Sequence, residues 1–300
     1  MEIMNSKEIQ VRGHYRHRQD RACVGCPVKS LVSGLLLLWC LFICGQSVQA
    51  QEEEIRFQSG EELSYTMKYK YGLIVMTGAT GVHRLSTTTY NGKSSFKASV
   101  TLKTTTFFDK VYRTRDTLFS YISIPALHPL YAERMVHEDK THFSETVKTL
   151  KFTNTQSQVD LKRTREGRAP LDTIMTTNAI GYDMLSMLLF VRSLDYDTMD
   201  VGTTKNIVIF FGPDQANITI RYNGKQTVDV GKYRYNAIKL NLDIMDDAFT
   251  TSKDAIEMWL GDDQNRVPVR IKAKLKFGAA EGELSNTKNL KYPFSSQTKK

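Results

Sequence analysis

The feature that most constrains this chain is a two-residue period. Across residues 254–277, Val267, Val269, Ile271, Ala273, Leu275 and Phe277 take one parity, and Arg270, Lys272, Lys274 and Lys276 take the other. Side chains of a strand alternate between faces, so such a segment has an apolar wall inward and a cation every second residue outward, roughly 6.8 Å apart. A helix would scatter both sets around its axis. The same period recurs at residues 62–71 (Leu63, Tyr65, Met67, Tyr69, Tyr71), at 93–104 (Phe96, Ala98, Val100, Leu102) and at 235–244 (Ile238, Leu240, Leu242, Ile244). Each reads as a strand with one buried face.

Turn chemistry joins these strands at short range. Asn91-Gly92 separates residues 82–90 from 93–104, and Asn-Gly favours the type I′ turn of a hairpin because both positions take positive φ. A second Asn-Gly at 223–224 predicts another hairpin between 216–222 and 225–230. Gly72, Gly78 and Gly81 predict bends or bulges, and Pro125 with Pro129 predicts a loop. Further strands are expected at 111–122, 131–143, 146–153, 158–164 and 205–211, with a solvated basic loop at 162–170. One segment breaks the pattern. In residues 181–194, Met184, Met187, Leu188, Val191 and Leu194 fall on a helical stripe widened by Leu185 and Leu189, with Asn178 as a candidate cap.

About a dozen strands in short connections with one helix predict a mainly β fold: a curved antiparallel sheet, either a half-barrel or an irregular barrel, around one packed helix. Either shape encloses a concave apolar space.

Residues 31–44 are a mostly apolar run of fourteen, too short to span a bilayer, preceded by Lys29 and followed by Val48-Gln49-Ala50. They read as a secretory signal peptide cleaved near Ala50. Cys40 and Cys44 follow large apolar residues, so lipid modification is disfavoured. The expected organisation is a leader at 1–50, one β-rich domain at 51–285 and a loose tail at 286–300. All four cysteines (Cys23, Cys26, Cys40, Cys44) lie in the leader, so the exported part has no disulfide and no thiolate metal site. The whole chain carries +9; beyond residue 50 the net charge is +6, from 35 Lys and Arg against 29 Asp and Glu. That balance suits anionic lipid or another anionic component of the cell envelope, with peripheral membrane contact, and export argues against nucleic acid.

Motifs for chemistry are sparse. The chain has no HExxH, no Gly-x-Ser-x-Gly and no Walker-type loop, and no cofactor is expected. His137 and His142 stand five apart, which on one continuous strand places them on opposite faces, poor for a shared metal. A hydrolase would need an unrecognised set such as His137, Asp139 and Glu145. Asp262, Asp263 and Arg266 are expected to brace a turn. The candidate ligand-binding residues are Trp259, the only tryptophan beyond the leader, with Arg270, Lys272, Lys274 and Lys276.

Gly60-Glu-Glu-Leu-Ser-Tyr65, the glycines at 72 and 78, Trp259-Leu-Gly-Asp-Asp263, Arg266-Val-Pro-Val-Arg270 and Phe277-Gly278 together resemble the exported bacterial family known as domain of unknown function 3108, common in Bacteroidetes and Proteobacteria. The resemblance covers about residues 55–285 and brings no reaction or catalytic residue with it. By shape such domains look similar to the curved sheets of periplasmic lipoprotein carriers. The expectation is a non-enzymatic periplasmic binding or envelope-maintenance protein that holds a lipid or other hydrophobic ligand on a concave face. The alternatives are an envelope glycan or lipid hydrolase and a structural partner of an outer-membrane assembly.

Overall fold

The computed structural model describes residues 55–110, 112–212, 214–244, 253–276 and 278–299. The leader with its cysteines, Asp246, Asp247 and Phe277 lie outside the described residues.

The alternating segments become β1 (Glu62–Tyr71), β2 (Ile74–Tyr90), β3 (Lys93–Thr104), β4 (Arg115–Ser123), β5 (Pro129–Glu138), β6 (Thr141–Phe152), β7 (Ser157–Arg165), β8 (Leu171–Thr177), β9 (Gly181–Tyr182), β10 (Thr204–Phe211), β11 (Asp214–Val230), β12 (Tyr233–Ile244), β13 (Ile256–Gly261), β14 (Pro268–Lys274), β15 (Ala279–Lys288) and β16 (Gln297–Lys299). Fifteen form one nearly closed, barrel-shaped sheet in the order β8-β7-β6-β5-β4-β3-β2-β1-β15-β14-β13-β12-β11-β10-β9, and β16 adds to β12. Two meanders are therefore joined where β1 pairs with β15, from Glu62↔Lys288 to Lys70↔Ala279. Among the described residues, the mainly β barrel with one α-helix is the architecture that the alternation predicts.

The sheet ends approach each other at a seam. Ser157 Oγ on β7 accepts the Gly181 N–H of β9 at 2.8 Å and donates to the Ala179 carbonyl at 3.1 Å. Gly181 is required there because a Cβ would come within 2.4 Å of the Phe210 ring and 2.9 Å of Ser157 Cβ. Glu145 Oε1 on β6 accepts the Gly212 N–H at 3.2 Å just past β10.

The helix α1 (Met184–Ser193) sits inside the sheet. Its cap is Asp183 rather than Asn178. The Asp183 carboxylate accepts the Leu185 and Ser186 N–H groups, and Ser186 Oγ accepts the Asp183 N–H, a complete capping box. Ser120 Oγ of β4 donates to the same carboxylate at 2.8 Å, which pins the start of the helix to the wall. Leu185 and Leu189 pack with Phe57, Leu85, Phe96 and Ile122. Val191 and Leu194 pack on the other side against Ile207, Ile238, Leu240 and Leu260.

Several expectations change. The segment 131–143 is two strands, broken at Asp139 with φ +44, so His137 and His142 are direct cross-strand partners on one face. The basic segment 162–170 is partly strand: β7 runs to Arg165 and turns back through β8. Asn223-Gly224 makes no hairpin; β11 is continuous, and the pair forms a bulge opposite β12, with Gly224 at φ +84. The extra Gly78 of β2 forms another bulge, between Met67 and Lys68 of β1. Residues 285–299 are not a loose tail: β15 extends to Lys288, Leu290 and Phe294 pack on a core that includes Trp259 and Tyr235, and β16 pairs with β12.

Candidate functional site: a lumen filled at one end and open at the other

Direct pairings place Leu63, His83, Val100, Leu118, Arg134, Glu145, Arg163 and Leu171 side by side along one rung across eight strands. On one side of that rung the lumen is filled by α1. On the other it opens into a cavity of about 640 Å³. Its wall is built from Met67, Val100, Leu102, Leu118 and Val136, from Ile271 and Ala273 of β14, and from Met184 and Leu188 of α1. Volumes of 300–1,000 Å³ are typical of small-molecule sites.

Six of the twenty residues that line this wall are polar: Tyr65, His83, Asp116, Arg134, Glu138 and Glu281. His83 lines the cavity, is 2% exposed, and neither ring nitrogen has a hydrogen-bond partner among the described residues. Burial, reinforced by the positive charge of Arg192, holds its pKa down at about 4, so the ring is neutral near pH 7. A neutral imidazole carries one donor and one acceptor. Nearby, Tyr65 donates to the Pro268 carbonyl at 2.9 Å, and burial pushes its phenol pKa up. Glu138 and Asp116 also line the wall. Burial and the Asp116 charge raise the Glu138 pKa, while Tyr112 donates to Glu138 Oε2 at 3.1 Å and Asp116 accepts the His137 N–H at 2.9 Å.

Behind His83 lies a buried ion pair. Arg192 of α1, fully buried, donates to both oxygens of Glu61 at 2.6 and 2.8 Å and to the Asn265 carbonyl at 3.0 Å, with its guanidinium 5.0 Å from the centre of the Phe57 ring. Asn265 belongs to the β13–β14 turn. There Arg266 bonds Asp262 and Asp197, and Asp263 accepts the Ser296 N–H, so these residues brace the turn and dock the C-terminal segment.

The residues singled out in the sequence lie elsewhere. Trp259, Arg270 and Lys272 do come together, on the face of the sheet opposite to Ile271 and Ala273. Lys239 Nζ sits 3.3 Å from the Trp259 ring centre, and Arg270 lies 5.3 Å from it. Arg270 pairs with Glu281, and Lys272 lies 3.8 Å from Glu257. The cationic row is thus interleaved with carboxylates. Lys274 continues it, and Lys276 is exposed beyond the strand end. The set His137, Asp139 and Glu145 does not converge. His137 is exposed on the outer face, whereas Glu145 is 4% exposed and held by Arg163 Nε at 2.7 Å, with Arg134 at 3.8 Å. Glu145 closes the barrel seam. Among the described residues there is no group of three or more His, Cys, Asp or Glu able to hold a metal ion.

His83 belongs to no motif in the sequence, and Met184 and Leu188 stand there only as members of the helical stripe. A usable signal existed for the first: Gly81, His83 and Leu85 share the inward parity of β2, so a histidine occupies a position where the period calls for an apolar residue.

The family model described as "Protein of unknown function (DUF3108)" matches residues 64–285. The chain belongs to this family. No curated protein matches it. Among solved structures it is similar to a "Beta-barrel-like Protein of Domain of Unknown Function DUF1849 from Brucella abortus", with TM-score 0.51 and 9% identity, over 79% of this chain and 100% of that one. At that identity the likeness is one of fold.

Proposed function

We propose that this is a non-enzymatic binding protein of the cell envelope, periplasmic in location, that holds one hydrophobic or amphipathic ligand such as a lipid acyl chain in its lumen. The observation that carries the reading is the cavity beside α1. Its walls are apolar on nearly every strand, and it has room for on the order of twenty water-sized groups. A single long acyl chain has about that many methylenes, and each one removed from water stabilises the complex by about 0.8 kcal/mol. His83 supplies one neutral hydrogen-bonding point within the apolar wall, suited to a hydroxyl or protonated carboxyl.

The test is native mass spectrometry of the chain produced with its own leader and purified from the envelope without detergent. Extra mass that organic extraction removes supports a carrier, and its fragmentation names the ligand class. A bare protein mass, together with no uptake of a fluorescent hydrophobic probe at micromolar concentration, would sink the reading.

A further inference from the structure

The hairpin β1–β2 outruns β3 on one side and, at its turn, β15 on the other. The last β1·β15 pair is Lys70↔Ala279 and the last β2·β3 pair is Ala79↔Thr104. Residues 74–77 therefore have no β3 partner, and because Lys70 also pairs with Val75, only the turn from Tyr71 to Ile74 stands past the end of β15. What they carry is not what a solvated hairpin carries. Leu73 is 102% exposed, and Tyr71, Ile74 and Val75 are each 58% exposed. Beside the base of the hairpin, where the Phe108 ring lies 3.5 Å from the place a Cβ on Gly78 would take, Phe107 is 68% exposed. Contiguous exposed apolar side chains on a soluble surface mark a contact site.

Position and charge say what the contact is. The hairpin rises from the strand that lines the cavity with Met67, so the apolar tip stands at the open end of the lumen, opposite the end closed by Phe57, Phe96 and Ile122. Lys70, Lys110, Arg113 and Lys276 are exposed at this end against one exposed carboxylate among the described residues, Asp139 beside Arg113, while Asp109 pairs with Arg115. A protein interface of ordinary stability needs about 800 Å² of matched surface per partner, more than the turn and Phe107 present. A finger of aliphatic and aromatic side chains with cations behind it suits a bilayer instead: the apolar tip enters the acyl boundary and the ammonium groups meet anionic headgroups.

We propose that the β1–β2 hairpin tip, with Phe107, inserts into an anionic phospholipid surface and so presents the open end of the lumen to the bilayer. This docking does not depend on the lumen being loaded, and its readouts are separate from those of ligand binding. In the chain purified after export, Leu73→Trp places an indole at the tip. Its emission, after subtraction of the parent spectrum, should shift to the blue on adding phosphatidylglycerol-containing vesicles and be quenched by lipids brominated on the acyl chain. Leu73→Glu with Ile74→Glu should lower vesicle affinity at least tenfold, with uptake of a lumen probe unchanged. Lys70→Gln and Lys110→Gln should each lower it about fivefold. An indole that stays in water with vesicles present would overturn the proposal. So would equal binding to purely zwitterionic vesicles, loss of lumen-probe uptake in the glutamate variant, or a vesicle-independent blue shift with doubled mass, which would assign the tip to a second copy of the chain.

Discussion

The two ends of the lumen are lined by the same strands and differ in what faces them. At one end Leu85, Ala98 and Ile122 meet Leu185 and Leu189 of α1. At the other, two or four residues along the same strands, His83, Leu102 and Leu118 meet a cavity. The strand period fixes which side chains point inward; whether they make core or container depends on whether a second element reaches them. Here α1 does so for half of the lumen, because Ser120 and Asp183 anchor its start and Arg192 anchors its end. The filled end is expected to carry stability and the open end ligand.

That contrast can be broken in graded ways. The largest effect is expected from the buried pair: Arg192→Met or Glu61→Gln alone should destabilise the fold by about 3–5 kcal/mol in chemical denaturation, because each leaves an uncompensated buried group, and the double replacement should recover much of the loss. Next, Leu189→Ala should cost about 2–5 kcal/mol, whereas Leu188→Ala, one residue before it but facing the cavity, should cost less than about 1 kcal/mol. Equal costs would mean that the cavity is closed in solution. His83 brings a pH signature. Its folded pKa of about 4 lies below the unfolded value near 6.5, so between these values the unfolded chain binds the extra proton. Stability should rise with pH across that window, by at most about 3 kcal/mol, and be lost as pH falls from 6.5 towards 4. His83→Leu should flatten this slope. Gly181→Ala should cost about 1–3 kcal/mol by overpacking the seam against Phe210. The smallest effect is reserved for the outer wall: Lys162→Ala removes an exposed pair with Asp172 and should change stability by less than about 0.5 kcal/mol.

The strands were legible because burial on one face writes itself into alternate positions; β1 and β3 span the residues that the period marks. What escaped is whatever local pattern cannot encode. β8 is a polar edge strand with one face lightly covered, so its period is faint. Asn-Gly supplies positive φ equally well to a turn or to a bulge, and at 223–224 long-range pairing with β12 decided the outcome. Asn178 and Asp183 are equally good caps in isolation, but only Asp183 lies within reach of Ser120. The candidate site was half visible. Ile271 and Ala273 were read as an inward wall, but the pairing of Arg192 with Glu61, 131 positions away, has no local signature. His83 shows only as a polar residue at an apolar parity.

The pairing of β1 with β15 has a kinetic consequence. Each meander can zip from its own hairpins, strand by strand, over short loops. The joint between them closes a loop of more than two hundred residues, from Glu62 to Lys288. Closure entropy grows only slowly with length, but it falls due before the joint's contacts reward it, and rates drop as such distant contacts dominate. A chain emerging from its N-terminus would hold one edge of β1 unpaired until residues 279–288 appear, with its apolar hairpin tip already exposed.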